Sequence, residues 1–142
     1  MALETNRFEQ IEAAARGGDD EILAFAAAQE GGAAGLLDEI FANMAAAFRP
    51  ERARGQQADF QYEVSTPDGP LEYFVRVTGD ACETGRGRVD SPKLTTRVAL
   101  PTFLRLVSGR LNGMQAFLRG KVKMSGNTLF ASKFEYWFER PS

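Results

Sequence analysis

Phe60, Tyr62 and Val64, and then Leu71, Tyr73, Val75 and Val77, stand at every second position on either side of Pro67-Asp68-Gly69. Successive strand side chains point to opposite faces of a sheet, so the alternation reads as two strands, each with one buried face. Proline fixes the first corner of the turn, and glycine takes the positive dihedral that follows. So short a link cannot carry a parallel crossover, and the pair must be an antiparallel hairpin. Asp59, Gln61 and Glu63, with Glu72, Arg76 and Thr78, give the hairpin a wet face. Phe74 is the exception on that face: it either covers a helix or partner chain, or partly seals a second interior.

Gly79-Asp80 turns the chain into a weaker strand, Ala81 to Val89, whose Gly85 and Gly87 suit a bent edge strand or leave room for a ligand. Asp90-Ser91-Pro92 breaks the sheet. Leu94, Thr96, Val98 and Leu100 then supply a fourth strand. From Pro101 the period becomes helical. Phe103, Leu104 and Val107, then Leu111, Met114, Phe117 and Leu118, recur three and four apart in two stripes broken at Gly109 and Gly113. Lys121, Lys123 and Ser125 alternate with Val122 and Met124 as a fifth strand between Gly120 and Gly126. A closing helix from Asn127 carries Phe130, Phe134, Trp137 and Phe138.

Ahead of the hairpin, Leu36, Leu37, Ile40, Phe41, Met44, Ala47 and Phe48 form an apolar helical stripe that ends at Pro50 and the basic link Glu51-Arg52-Ala53-Arg54-Gly55. Before it lie two thinner helices. The first carries Leu3, Phe8 and Ile11 and stops at Gly17-Gly18; the second, capped by Asp19 or Asp20, carries Ile22, Leu23, Phe25 and Ala26 and ends at Gly31-Gly32. Residues 1–31 read as a helical extension packed on the body or on a partner, or else as a loosely held arm. The whole order gives an α+β fold: one five-stranded, largely antiparallel sheet covered by helices.

Several function classes recede on composition. The formal charge of -2 gives no pull toward nucleic acid. With no His, an imidazole base is absent from the chain, and sulfur-and-imidazole metal sites with it. The single Cys82 has no internal disulfide partner and reads as a small half-buried residue. No metal and no cofactor are expected. The chain has neither a spanning apolar run nor a signal-peptide pattern, which makes the cytoplasm the expected location.

A resemblance to a known family rests on Leu37-Asp38-Glu39-Ile40-Phe41, on Phe48-Arg49-Pro50-Glu51-Arg52-Ala53, and on Asp90-Ser91-Pro92 with Leu94 and Thr96. It is sharpest over Ser108-Gly109-Arg110-Leu111-Asn112-Gly113-Met114-Gln115-Ala116-Phe117 and onward through Leu118 to Asn127. Over residues 33 to 139 the chain resembles the sterol carrier protein 2 (SCP2-like) domains. The resemblance implies helices enclosing an apolar tunnel over a five-stranded sheet, with sterols, fatty acids, acyl-CoA or other lipids bound without a metal. It divides the chain into the extension, residues 1–31, and an SCP2-like lipid-binding domain, residues 32–142. The terminal Arg140-Pro141-Ser142 does not resemble the tripeptide that directs some relatives to peroxisomes.

The leading reading is non-catalytic binding or transfer of a lipid or other elongated apolar metabolite. Candidate lining residues are Phe103, Leu106, Val107, Leu111, Met114, Phe117, Leu118, Met124, Phe130, Phe134 and Trp137, with Ile40, Phe41 and Met44 closing from the first core helix. Met114 and Met124 are favoured because an unbranched thioether adapts to different shapes. Arg105, Arg110, Arg119, Lys121 and Lys123 can place positive charge near a headgroup or an anionic membrane. Plain core packing and a solvated charged face explain the same residues. Whether the chain is also an enzyme stays open: a His-free enzyme or accessory protein for a polycyclic or polyketide-like metabolite would use Asp59, Asp90, Tyr62 or Tyr73. A protein-interaction module, with a homodimer through the sheet face or the arm, is the third reading.

Overall fold

The computed structural model describes residues 5–139. Leu3 of the first stripe and Arg140-Pro141-Ser142 lie outside the described residues. The hairpin forms from β1 (Gln57–Thr66) and β2 (Gly69–Thr78), paired antiparallel with Phe60 opposite Val75 and Tyr62 opposite Tyr73. At its turn the Thr66 hydroxyl donates to the Gly69 carbonyl at 2.7 Å and accepts from the Asp68 N–H at 3.2 Å. β3 (Ala81–Arg86), β4 (Leu94–Ala99) and β5 (Val122–Gly126) complete one sheet in the order β3-β2-β1-β4-β5. Its pairings are antiparallel except β1 with β4, which run parallel, so the sheet is mixed but largely antiparallel. The excursion through β2, β3 and residues 87–93 supplies the crossover that a parallel pair requires.

The outer sheet face differs from expectation at two residues. Phe74 lies across from Gly85, where a Cβ would stand 3.1 Å from its ring, and the Arg76 guanidinium sits 5.7 Å from the ring centroid. The aromatic is thus accommodated by a glycine within its own sheet. Gln61, expected on the wet face, is buried. Its amide donates to the carbonyls of Tyr73 (3.0 Å) and Gly87 (2.9 Å), and its Oε1 accepts from the Val89 N–H at 2.8 Å. These bonds hold the segment after β3 against the sheet, and a buried amide so satisfied carries no desolvation penalty of the unpaired kind.

The inner face carries the core. α3 (Gly32–Ala46) buries Leu36, Leu37, Ile40 and Phe41 against it, and the Phe41 ring stacks on Tyr73 at 4.4 Å and on Phe103 at 5.5 Å. Polar contacts fix this helix in register. The Tyr73 hydroxyl donates to Asp38 at 2.6 Å, Arg86 donates twice to the same carboxylate at 2.7 and 2.6 Å, and the Thr84 hydroxyl donates to the Phe41 carbonyl at 2.9 Å. The Arg86 hydrogen bonds hold the Asp38 carboxyl below its usual range, while burial first and then Asp38 push the Tyr73 phenol up.

α1 (Thr5–Ala15) and α2 (Asp19–Ala27) pack on α3 and on α5 (Leu100–Val107), with Ile11, Ile22 and Ala26 fully buried in the common core. Arg7 donates twice to Glu39 at 2.8 Å, and Arg105 reaches Asp19 at 2.8 Å and the Gly17 carbonyl at 3.2 Å. The described part of the extension therefore covers its own body. At the turn between α2 and α3 the chain folds so closely that a Cβ on Gly35 would stand 2.1 Å from the Glu30 carbonyl oxygen.

Several boundaries move. Gly18 precedes α2, and Asp19 and Asp20 sit in its first turn, where their charge complements the helix dipole instead of capping it. The basic link contains a one-turn helix, α4 (Pro50–Ala53). β3 ends at Arg86, and Leu100 opens α5 instead of closing β4. α6 (Gly113–Leu118) and α7 (Leu129–Trp137) follow. Phe138, expected in the helical register, is extended and bridges to Phe48, because the Glu139 N–H donates to Ala47 and the Arg49 N–H to Trp137.

Candidate ligand-binding site

Between the inner sheet face and α3, α5 and α7 lies a cavity of about 250 Å³. Close-packed interiors leave few voids larger than a water molecule, so an opening of this size is not ordinary core. The sheet supplies its floor through Tyr62 of β1, Leu94, Thr96 and Val98 of β4, and Val122 and Met124 of β5. Strand pairing sets these side by side: Thr96 is opposite Tyr62 on one side and Met124 on the other. Ile40, Asn43 and Met44 of α3, with Ala47 just after it, close one side, and Phe103, Leu106 and Val107 of α5 another. Ala131 and Phe134 of α7, then Phe138, complete the apolar wall. The exposed lining residues Gly109, Glu135 and Glu139 mark its rim. There α6 and α7 meet so closely that a Cβ on Gly113 would stand 3.0 Å from the Glu135 carboxylate.

Eight residues proposed from the sequence line this space: Ile40, Met44, Phe103, Leu106, Val107, Leu111, Met124 and Phe134. Six stand elsewhere. Phe41 and Trp137 are almost wholly buried in the core, and Phe130 packs edge-on to Phe60 at 6.2 Å. Phe117 is half-buried outside the lining. Met114 and Leu118 project outward, 52% and 75% exposed, because α6 starts anew after Gly109, whose φ is 81°, and does not continue the stripe of α5. Asn112 caps that new start by accepting from the N–H groups of Met114 and Gln115.

The sequence reading missed the strand contribution apart from Met124. Its own alternation contained the signal, since Leu94, Thr96 and Val98 share one face and Val122 shares the face of Met124. The proposed cations also move. Arg105 is held by the extension, and Lys123 points to the opposite sheet face beside Arg97. Among the described residues no Lys or Arg lines the cavity.

Of the four side chains considered for acid or base chemistry, only Tyr62 reaches this space. Asp59 is paired with Arg76 at 3.1 Å, and Tyr73 is engaged by Asp38. The Tyr62 ring is enclosed by Phe41 (5.3 Å), Phe103 (6.2 Å) and Phe134 (5.9 Å). Burial, and then the charge of Glu135, push its phenol well above the ordinary value, so it acts as a neutral hydroxyl. Burial also pushes the Cys82 thiol up to about 12, leaving it an inert half-buried residue.

A family model described as the SCP-2 sterol transfer family matches residues 37–139. Hydroxysteroid dehydrogenase-like protein 2 of Mus musculus is 30% identical over 102 residues, which make up 71% of this chain and 21% of the mouse protein. The Rattus norvegicus protein of the same name is also 30% identical, over 71% of this chain and 19% of its own length. The chain thus spans about a fifth of the length of these curated relatives. Among solved structures, Sterol Carrier Protein 2 Like 2 from Aedes aegypti is 25% identical with a TM-score of 0.58, covering 71% of this chain and 91% of that one. The stereoselective inverting sec-alkylsulfatase Pisa1 from Pseudomonas sp. shares the fold at 17% identity and a TM-score of 0.65, over 75% of this chain and 17% of that one.

Proposed function

The chain belongs to the SCP-2 sterol transfer family, and from that premise and the cavity we propose that it binds a lipid or other elongated apolar metabolite without chemically altering it. The observation that carries the proposal is the open volume itself, walled by three helices and floored by the apolar face of three strands. Transfer of apolar surface from water into such a site is worth about 25 cal/mol per Å², or roughly 0.8 kcal/mol per methylene. The Aedes aegypti relative has also been solved in palmitated form, which supports an acyl chain as one ligand class. In this reading residues 32–142 carry the binding and residues 1–31 are an extension that buttresses α3 and α5.

The proposal extends to transfer between surfaces in the cytoplasm. Met114 and Leu118 stand exposed on α6, the helix that begins at the lining residue Gly113, and no ion pair among the described residues engages Arg110, Arg119 or Lys121 near its ends in sequence. Apolar tips among cations suit brief contact with an anionic membrane.

Native mass spectrometry and organic extraction of freshly purified protein, followed by titration with fatty acids, fatty alcohols, acyl-CoA and sterols, test the reading. A bound or readily acquired apolar compound at one per chain is expected. Folded protein that takes up no member of this panel would overturn it.

A further inference from the structure

The floor of the cavity carries two hydroxyls on one rung of the sheet. Tyr62 and Thr96 are partners across the parallel β1–β4 pairing, so their side chains share the inner face and both line the open volume. Around them the floor is Leu94, Val98, Val122 and Met124. Neither hydroxyl has a hydrogen-bond partner among the described residues, although Thr96 is buried and the Tyr62 ring is enclosed by three aromatic rings. Hydroxyl groups in an apolar wall carry a desolvation cost unless something bonds to them. Both remain accessible from the cavity, since no enclosed side-chain oxygen lacks a partner among the described residues. Whatever fills the cavity is therefore placed to satisfy them.

Resting on the binding reading above, we infer that Tyr62 and Thr96 form a polar subsite for an uncharged oxygen, so that a long-chain alcohol or ketone is preferred there over an ionised fatty acid. A ligand hydroxyl can donate to one of the two groups and accept from the other; a ketone accepts from either. An ionised carboxylate would lose its water shell to reach the same rung. No Lys or Arg among the described residues lines the space to compensate for that loss.

The test is competition against a solvatochromic fluorescent probe on the full chain at neutral pH. Dodecan-1-ol, dodecanoate and dodecane are compared, each delivered from cyclodextrin. Dodecan-1-ol is expected to bind about tenfold tighter than dodecane, consistent with the usual strength of one to two well-made hydrogen bonds, and also tighter than dodecanoate. Tyr62→Phe and Thr96→Val should each remove most of the alcohol's advantage over dodecane, measured as the ratio of the two affinities within each variant. Thr96→Ser, which keeps the hydroxyl, should restore it, and the pair of Thr96 variants carries the test should Tyr62→Phe fold poorly. Dodecanoate binding as tightly as the alcohol, or an alcohol advantage that survives Thr96→Val, would overturn the subsite while leaving lipid binding in place. Displacement of the probe by none of the three would overturn the binding reading and this inference with it.

Discussion

Replacing Met124 by Trp tests whether the space above the sheet is truly open to a ligand chain. Met124 lies on β5 opposite Thr96 and lines the cavity floor. An indole built there extends into the volume where the thioether ends. Should it displace three ligand methylenes, the loss at about 0.8 kcal/mol each is about 2.4 kcal/mol, a weakening of roughly 50-fold. Because the ring enters open space, the stability of the unliganded variant should change by less than about 1 kcal/mol, whereas overpacking a filled core costs about 1–3 kcal/mol. Met114→Trp is the matched control: the same exchange on the exposed side of α6 should leave affinity unaltered. Binding of a fatty-alcohol series measured beside urea denaturation reads both quantities. A folded Met124→Trp protein with wild-type affinity would show that the chain does not lie over β5. A loss of stability in the overpacking range would show that the volume is already filled.

Deleting residues 1–31 should lower the thermal midpoint markedly without changing the mass measured by light scattering, because Ile11, Ile22 and Ala26 are buried against the protein's own α3 and α5. An unchanged midpoint would refute the buttressing role. Cys82, with its thiol pushed up to about 12, should alkylate with iodoacetamide far more slowly than a free thiol at neutral pH and at the ordinary rate in urea; equal rates in both would refute the burial argument. Asp38 is held below its usual range by Arg86 and then Tyr73. A carboxyl lowered in the folded state contributes stability above its unfolded value, and loses that contribution as pH falls through the folded value. The advantage of wild type over Asp38→Asn in urea should therefore be present near pH 7 and shrink between about pH 5 and pH 2; an advantage that grows on acidification would reverse the assignment.

Period-two alternation made the hairpin, β4 and β5 legible because each strand has one face on the core, and a register error would have exposed every apolar side chain. The same rule misplaced Gln61. Its burial depends on Tyr73, Gly87 and Val89, groups 12 to 28 residues away in the chain, which no local pattern reports. Phe74 was anomalous in sequence for a similar reason, since its counterpart is the glycine opposite it on β3. The cavity was half legible. Residues on α3 and α5 that line it also carry the apolar stripe, and alternation cannot separate a cavity floor from a core floor. Thr96, a hydroxyl between Leu94 and Val98 on a buried face, was the available clue.

Met114 and Leu118, two large flexible side chains after α5, are kept out of the open volume. A helix continued through Gly109 would have kept Met114 and Leu118 in one apolar stripe with Leu104, Val107 and Leu111. Instead the chain turns at Gly109, with φ 81°, and α6 begins afresh under the Asn112 cap. The new phase buries Ala116, the smallest side chain in the helix after Gly113, and sends Met114 and Leu118 outward. Two large apolar groups left in water cost stability that a packed core would have recovered. The same turn therefore keeps two large side chains out of the cavity and leaves them as an apolar surface on α6.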